Sequence, residues 1–296
     1  MQTKQLSLLA IKTIFCLLGL ILTPGTTLAE KASCLWSITS SHNTVYLLGS
    51  IHVLKQENYP LHANIYRAFD AASHLVFEVN LDDTSSPLSQ LSSLRKGMYT
   101  DGQTLQDALS PKNYDLTKSK LANRGYSMEM FKLMKPWMLA STITILELQK
   151  LGFETVHGID QHFFERAKAE GKTVEGLETV EYQLNLFDSL SPKTQEQFLL
   201  QTLGEIDMLE QQTHQLVESW THGRVTGLEV MLENMQEFPE VYEALITKRN
   251  LDWLPHVESY LQNNEPYMVV VGTLHLLGEK GLLAMLTKKG YVIQQL

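Results

Sequence analysis

The sequence of 296 residues contains two cysteines, Cys16 and Cys34, and this scarcity excludes a fold held together by several disulfides. Cys16 lies in an apolar N-terminal segment. If this segment is removed by cleavage, the remaining chain contains one cysteine and can form no internal disulfide. Stability must then come from a hydrophobic core. With 44% hydrophobic residues and no proline-rich linker, the chain is long enough to bury such a core in one large domain.

The chain also has fewer positive than negative side chains. It contains 24 lysines and arginines and 33 aspartates and glutamates, which gives a formal net charge of −9. Lys4 and Lys12 both fall in the N-terminal segment, so the rest of the chain is more acidic still. Nonspecific nucleic-acid binding depends on cationic side chains that neutralise phosphates. The composition therefore predicts that nucleic acid is not a partner.

The apolar run from Thr13 to Thr23 is too short to cross a bilayer core of about 30 Å comfortably. It follows two lysines and precedes Thr27-Leu28-Ala29, a small-x-small cleavage pattern. This arrangement is typical of a secretory signal peptide, so we expect residues 1–29 to be a leader and residues 30–296 to be an exported domain, periplasmic or secreted. The alternative is an uncleaved leader that anchors the chain to a membrane.

Familiar catalytic signatures are missing as well. No HExxH, CxxC, GxSxG or P-loop pattern occurs, so zincin, redox, serine-hydrolase and phosphate-loop chemistry have no support. The sequence contains instead a repeated motif, GSIHVL at 49–54 and GTLHLL at 272–277. Each copy directly follows an apolar run, Val45–Leu48 in the first case and Met268–Val271 in the second.

Each copy of the motif places a glycine at the exit of a strand and a histidine three residues later. Ligands bind at the carboxyl ends of strands in open α/β sheets. Two neutral imidazoles brought together there by adjacent strands could bind a divalent metal ion, or one could act as a general base. We therefore expect His52 and His275 to share a site, with the neighbouring motif residues Gly49, Ser50, Gly272 and Thr273.

Glu78 follows the short apolar run Leu75-Val76-Phe77, so it ends a further strand. We expect this strand to neighbour the strand of the first motif. A carboxylate at a buried strand end is unfavourable unless it is paired or bound to a metal ion. We therefore expect Glu78 to complete the site, and the alternative is a carboxylate that caps an exposed strand end.

Strand patterns cluster near both ends of the chain, around a helical middle. The apolar runs at 45–48, 75–77 and 268–271 do not alternate polar and apolar residues, as is typical of strands buried on both faces. We predict a single α/β domain with a mixed sheet made from the N- and C-terminal strands and a large helical middle packed over it. The alternative is two domains divided near Lys150.

The segments GSIHVL, FEVN, GID, GLETVEYQ, RNLDW and VGTLHLLGEKGLL occur in this order over roughly residues 35–296 and resemble the TraB/GumN family, which includes the TIKI metalloproteases. The paired GxxH motifs are the specific part of this resemblance. It implies a fold similar to that of erythromycin esterases, with His52, Glu78 and His275 as the active centre. It also implies a divalent metal ion, manganese or cobalt in the TIKI proteins, that takes part in peptide cleavage.

The resemblance extends to residues outside the histidine motifs, namely Gly158, Asp160, Glu178, Gln183, Arg249 and Asn250. Considered alone, these residues leave simpler alternatives open. Asp160 and Asn250 could cap helices, and Glu178 could be a capping or solvated carboxylate. Arg249 could be a surface arginine, or it could hold a carboxylate of the substrate or of Glu78 through its two-pronged guanidinium.

These features predict an exported metal-dependent hydrolase that acts on peptides. A metal ion held by His52, Glu78 and His275 leaves a coordination position open for water, and manganese, cobalt or zinc suits such ligands. Arg249 is expected to stabilise the negative charge that develops in the reaction. The expected partner is a peptide or small-molecule substrate. Two alternatives remain open: a protein that sequesters a peptide or haem without turnover, and a metal-free esterase with a histidine base.

Overall fold

Six strands form one mixed sheet in the computed structural model, which describes residues 32–296. The predicted leader, residues 1–29, lies outside the described residues. The order across the sheet is β4-β3-β5-β2-β1-β6. The strands are β1 (Leu35–Thr39), β2 (Thr44–Ser50), β3 (His74–Phe77), β4 (Thr173–Gly176), β5 (Tyr267–Gly272) and β6 (Ile293–Gln295). The predicted mixed sheet, built mainly from strands near the two ends of the chain, is confirmed.

Strand β5 lies at the centre of four parallel strands. It pairs with β2 on one side and with β3 on the other, and β3 pairs with β4. One expectation is corrected here, because β3 neighbours β5 and not β2. Residues 267–271 of β5 are all buried, and such an apolar strand belongs in the centre of a sheet covered on both faces. The carboxyl ends of β2, β5 and β3 therefore meet at one edge.

Helices cover the sheet and fill the middle of the chain. Prolines occupy the first position of several of them, where the missing N–H has no helical partner in any case. A π-helical turn, Glu243–Thr247, separates two of the helices. The α-helices of the described chain are α1 (Ala63–Ala71), α2 (Leu81–Ser85), α3 (Pro87–Gly97), α4 (Leu105–Ala108), α5 (Pro111–Asn123), α6 (Pro136–Lys150), α7 (Ile159–Ala169), α8 (Val180–Asp188), α9 (Pro192–Glu205), α10 (Leu209–Thr221), α11 (Val225–Gln236), α12 (Pro239–Tyr242), α13 (Lys248–Gln262), α14 (Thr273–Leu276) and α15 (Leu282–Lys288).

Two groups of buried side chains form the hydrophobic core. The larger group surrounds the sheet and includes Phe69, Phe163 and Trp253, which lie on α1, α7 and α13. The smaller group lies between helices of the middle of the chain and includes Leu139 and Leu199. Residues 32–296 nevertheless form one compact unit, so the alternative of two domains divided near Lys150 is wrong. No helix within residues 32–296 combines the length and the hydropathy needed to cross a membrane.

Candidate functional site

Three predicted residues gather around Gly272 at the carboxyl end of β5. A Cβ atom added to this glycine would lie 3.2 Å from Glu78 Oε1, 3.5 Å from His275 Cδ2 and 3.6 Å from His52 Nε2. Since glycine has no Cβ, the space between these side chains stays open. The sheet therefore brings together the two motif histidines and the glutamate, although they come from three strands that are far apart in the sequence.

A hydrogen bond and a close backbone contact join the two copies of the motif. Thr273 Oγ1 of the second copy donates a hydrogen bond of 2.9 Å to the carbonyl oxygen of Ser50 in the first. A Cβ atom on Gly49 would lie 2.8 Å from that same hydroxyl oxygen, so the contact requires glycine at position 49. The Ser50 hydroxyl is buried and has no hydrogen-bond partner within the described residues. Gly49, Ser50 and Thr273 thus set the spacing of the two strand ends.

His52 is the accessible member of the site, with 63% of its side chain exposed. Its Nδ1 lies 2.8 Å from Asp160 Oδ2, and the Asp160 side chain is largely buried. Attraction to this carboxylate, which outweighs an opposing effect of desolvation, raises the pKa of His52 to about 9. Asp160 is the second residue of α7 and does not cap it, so the capping alternative for this residue is wrong.

Gly158 allows Asp160 to reach His52. A Cβ atom at position 158 would lie 2.2 Å from the backbone carbonyl oxygen of His52, which is well inside van der Waals contact. The next residue, Ile159, donates its backbone N–H to the carbonyl oxygen of Ile51 at 3.0 Å. The Gly-x-Asp sequence therefore combines a close approach of two backbones with the carboxylate that holds the imidazole.

Glu78 is buried at the end of β3, and both of its oxygens accept hydrogen bonds. Oε1 accepts the backbone N–H of Gly272 at 2.7 Å, and Oε2 accepts from Gln183 Nε2 at 3.1 Å and from Arg249. Burial by itself raises the pKa of Glu78, but the charges of Arg249 and the neighbouring histidines hold it well below its usual range. Glu78 is therefore ionised, and it does not cap an exposed strand end.

Arg249 lies at the centre of the buried part of the site. Its guanidinium donates to Glu178 through Nε at 3.0 Å and through Nη2 at 2.6 Å, to His275 Nε2 through Nη1 at 2.8 Å, and also to Glu78. It lies 4.5 Å from the ring centroid of Trp253, whose indole N–H also binds Glu178. The alternatives of a surface arginine and a solvated Glu178 are therefore both wrong.

His275 is buried and neutral. Arg249 can only donate, so His275 Nε2 must be the acceptor, and the proton lies on Nδ1. That nitrogen donates to Asn250 Oδ1 at 2.8 Å, and the Asn250 amide donates to the backbone oxygens of His275 and Lys280. Burial lowers the pKa of His275 to about 3, in spite of the nearby Glu78. Asn250 lies inside α13 and does not cap it.

The predicted metal ligands are arranged around Arg249. Within residues 32–296, no group of three histidine, cysteine, aspartate or glutamate side chains is placed to hold a metal ion. His52 Nε2 and Glu78 Oε1 face the space beside Gly272, but His275 turns its Cδ2 toward that space and its Nε2 toward Arg249. The set of three ligands does not fit a metal ion unless Arg249 leaves His275. The metal site stays a prediction.

Two tryptophans contribute to the site and were not predicted from the sequence. Trp253 follows Arg249 by four positions on α13, a spacing that places both on one face of the helix and was therefore a usable signal. Trp220 of α10 donates its indole N–H to the carbonyl oxygen of Gly49 at 2.7 Å. This bond joins residues 171 positions apart, and no local pattern indicates it.

In this α/β sheet, two GxxH strands and a glutamate strand end around one buried arginine. Residues 34–295 match the TraB/PrgY/gumN family, and the chain belongs to this family. The family membership expected from the motifs is thereby confirmed.

Curated relatives are similar over most of the chain. The uncharacterised proteins YbaP of Escherichia coli (strain K12) and of Shigella flexneri are each 25% identical over 241 residues, which cover 81% of this chain and 87% of theirs. An uncharacterised protein of Treponema pallidum (strain Nichols) is 21% identical over 163 residues, 54% of this chain and 47% of its own. No solved structure was found to match. The comparisons establish the family and leave the reaction to be inferred from the site.

Proposed function

We propose that this chain is a hydrolase that cleaves a carbonyl compound, with a peptide as the leading substrate, and that His52 is its general base. The observation that carries the proposal is the pairing of His52 with Asp160. The carboxylate holds Nδ1 at 2.8 Å and leaves Nε2 facing the space beside Gly272. An accessible imidazole oriented by a buried carboxylate is the arrangement that general-base catalysis needs.

In the proposed reaction, neutral His52 takes a proton from a water molecule as the water oxygen attacks the carbonyl carbon. The ionised Glu78 lies close enough to raise the pKa of His52, so it stabilises the imidazolium that forms. His52 then returns the proton to the leaving nitrogen or oxygen as its bond to the carbonyl carbon breaks. Microscopic reversibility permits one residue to serve in both steps.

Arg249 has a different role in this proposal from the one expected from the sequence. All three of its guanidinium nitrogens already donate to protein acceptors. We therefore infer that Arg249 keeps Glu78 ionised and His275 neutral, and that it does not bind the substrate oxygen directly. His275, which is itself held by Asn250, in turn accepts a hydrogen bond from the guanidinium.

Metal dependence is a second candidate form of the same activity. It is favoured by His52 Nε2 and Glu78 Oε1, which face one open space and are donors suited to manganese, cobalt or zinc. The test is cleavage of a peptide library by the purified protein, with its metal content measured, before and after treatment with a chelator. Cleavage that survives chelation supports catalysis by His52 alone, and cleavage restored only by added metal supports the metal site.

The same experiment addresses the alternative of a binding protein. A chain that retains a peptide without cleaving it, or that shows a haem Soret band after purification from haem-replete cells, contradicts the hydrolase proposal. Ester substrates are assayed in parallel, because a general base beside a carboxylate also suits ester cleavage. Cleavage of esters but not of peptides would change the proposed substrate class to esters, and His52 would remain the proposed general base.

A substitution at His52 tests the base directly. His52→Gln should lower kcat by about 10²–10⁴-fold, the usual contribution of a general base, while the protein stays folded, with a melting temperature lowered only by the loss of the ion pair with Asp160. His42→Gln is the matched control, since His42 is also exposed and lies in the turn between β1 and β2. Full turnover by His52→Gln would contradict the proposal that His52 is the general base.

We also propose that the chain is exported, on the basis of the leader pattern in residues 1–29. N-terminal sequencing of the protein from the periplasm or the medium should find Glu30 as the first residue. A mature protein that retains residues upstream of Ala29 would contradict the cleavage and favour the membrane anchor.

A further inference from the structure

A groove runs along helix α11, between this helix and the segment 276–284. Two adjoining cavities of about 460 Å³ and 490 Å³ form it. The cavities share three lining residues, Glu229, Gly278 and Glu279. Along α11 the lining extends from Val225 to Gln236, a rise of about 16 Å at 1.5 Å per residue. The groove is therefore long enough for about five residues of extended chain.

The loop wall of the groove is held in place by contacts with two helices. The Asn250 amide of α13 donates to the carbonyl oxygens of His275 at 3.0 Å and of Lys280 at 2.8 Å. Gly278 has a φ of +74°, and a Cβ atom there would lie 2.6 Å from Leu232 Cδ2 of α11. Glycine at this position thus permits both the backbone conformation and the close approach of the loop to the helix. The groove is formed without a ligand, as is usual for ligand sites.

The two ends of the groove differ in their chemistry. The apolar end, at the start of α11, is lined by Trp36, Val225 and Leu283. The acidic end is lined by three carboxylates, those of Glu229, Glu233 and Glu279. None of these carboxylates forms an ion pair or a hydrogen bond with another residue of the described chain. Lys280 lines the same end and pairs with none of them, so negative charge is in excess there.

Tyr242 supplies an unused polar group at the acidic end. It lines this end of the groove and is 9% exposed, and its hydroxyl is buried without a hydrogen-bond partner among residues 32–296. Buried polar groups in proteins nearly always have a partner, so an unpaired hydroxyl needs an explanation. A ligand that lies in the groove and bonds to this hydroxyl provides one.

We propose that this groove binds an extended peptide segment that carries a lysine or arginine at one end and apolar side chains at the other. The cation lies among the three carboxylates, and its charge is complementary to theirs. The apolar side chains cover the Trp36 and Leu283 end and remove its apolar surface from water. The peptide backbone supplies the partner of the Tyr242 hydroxyl. The assignment does not depend on the proposed hydrolysis, because it concerns binding at a second place on the chain.

The test measures binding of fluorescein-labelled pentapeptides by fluorescence anisotropy, in the His52→Gln background so that no peptide is cleaved. The probe has two leucines, two glycines and a terminal arginine, and it is made in both sequence orders. The double variant Glu229→Gln and Glu233→Gln should weaken binding about tenfold, the combined effect of two exposed ion pairs. Asp83→Asn with Asp115→Asn is the control, because it removes the same charge from exposed positions on α2 and α5 and should leave the affinity unchanged. Probes with glutamate for arginine, or serine for both leucines, should bind at least about tenfold more weakly.

Tyr242→Phe provides a second measurement. It removes a hydroxyl that has no partner in the free protein, so the melting temperature should not fall, whereas the arginine peptide should bind about two- to tenfold more weakly. A lower melting temperature with unchanged binding contradicts the role given to this hydroxyl.

Three further results overturn the site. They are no measurable binding of the arginine peptide, equal affinity for the arginine and glutamate peptides, and equal affinity with and without the carboxylates of Glu229 and Glu233. A dimer that the two glutamine substitutions dissociate also overturns it, because the groove then serves a second copy of the chain. Whether the wild-type protein cleaves peptides has no bearing on these outcomes, so the site and the hydrolase can fail separately.

Discussion

At the scale of the residue, the two motif histidines have the same sequence context and opposite surroundings. His52 is exposed and paired with Asp160, which raises its pKa, whereas His275 is buried against Arg249, which helps to lower its pKa. Titratable groups whose pKa values are pushed apart by their environments take different parts in a reaction. His52 is the group that can exchange a proton, and His275 is the neutral acceptor that holds the arginine.

The pH dependence of the reaction follows from the raised pKa of His52. A base acts in its deprotonated form, so kcat/KM should rise about tenfold per pH unit from pH 7 and level off above about 9. Asp160→Asn removes the main cause of the shift, so the rise should move toward the ordinary histidine pKa of about 6.5. Rates are measured from pH 5 to 10, with circular dichroism as the control for folding. A rate that falls between pH 7 and 9 would contradict the role of His52 as base.

Arg249 is expected to be the residue of the site that matters most for stability. Arg249→Met leaves Glu78 and Glu178 buried without their cation, which should lower the free energy of unfolding by about 3–5 kcal/mol at pH 7. The loss should shrink at acid pH, where the freed carboxylates take up protons. Urea unfolding provides the measurement. Arg224→Met is the control, because its ion pair with Glu218 is exposed and screened by solvent, so its loss should leave the urea midpoint close to that of the wild type.

At the scale of the element, the start of α13 determines how the site is assembled. Arg249 and Asn250 are consecutive residues, and they bind the two nitrogens of the same His275 ring. The π-helical turn Glu243–Thr247 ends two residues before Arg249, and Arg249 Nη1 donates back to the carbonyl oxygen of Leu245 at 3.3 Å. Single π-helical turns occur frequently at functional sites.

The turn before α7 offers a test of how elements position His52. Gly158→Ala places a Cβ atom against the His52 carbonyl oxygen, so the loops must separate and Asp160 must move away from the imidazole. We expect a loss of kcat together with a shift of the pH–rate profile toward lower pH, as for Asp160→Asn. Gly204→Ala is the control, because a Cβ there meets nothing within 4 Å inside α9, and it should stabilise the helix by up to about 1 kcal/mol. An unchanged pH profile in Gly158→Ala would show that the close approach does not position the pair.

At the scale of the whole molecule, the two ends of the described chain contact each other at one edge of the sheet. Strand β6 pairs with β1, and Ser33 donates its backbone N–H to the carbonyl oxygen of Leu296 at 2.6 Å. The Gln295 amide binds the backbone oxygens of Ser33 and Gly223, both at 2.9 Å. The last strand therefore ties β1 to the helical part of the chain.

Removal of residues 293–296 tests this closure. The deletion breaks the β1–β6 ladder and the bonds to Ser33 and Gly223, at about 0.5–1.5 kcal/mol for each net hydrogen bond. Because several hydrogen bonds are lost at once, we expect the free energy of unfolding, measured in urea, to fall by several times the contribution of a single hydrogen bond. Lys289→Ala removes only the ion pair with Glu258 and serves as the control, with an expected change below about 1 kcal/mol. Stability equal to that of the wild type would mean that β1 does not need its outer neighbour.

The fold was largely predictable because its strongest signals are local. Unbroken apolar runs indicate buried strands, and Pro136 and Gly171 mark the start of α6 and the end of α7 as expected for these residues. The order of the strands was not predictable in the same way. Residues 45–48 and 75–77 are equally apolar, and only the three-dimensional packing decides that β5 lies between them.

The sequence by itself determined which residues meet, because a histidine or glutamate placed directly after a parallel strand must lie at the same edge of the sheet. Only the tertiary structure decided what each residue does there. The direction of a hydrogen bond, the burial of an imidazole and the position of Arg249 depend on contacts between segments more than 70 residues apart, such as Arg249 with Glu178 and Glu78. Such contacts leave no periodic pattern, and so one motif yields an exposed histidine at position 52 and a buried one at position 275.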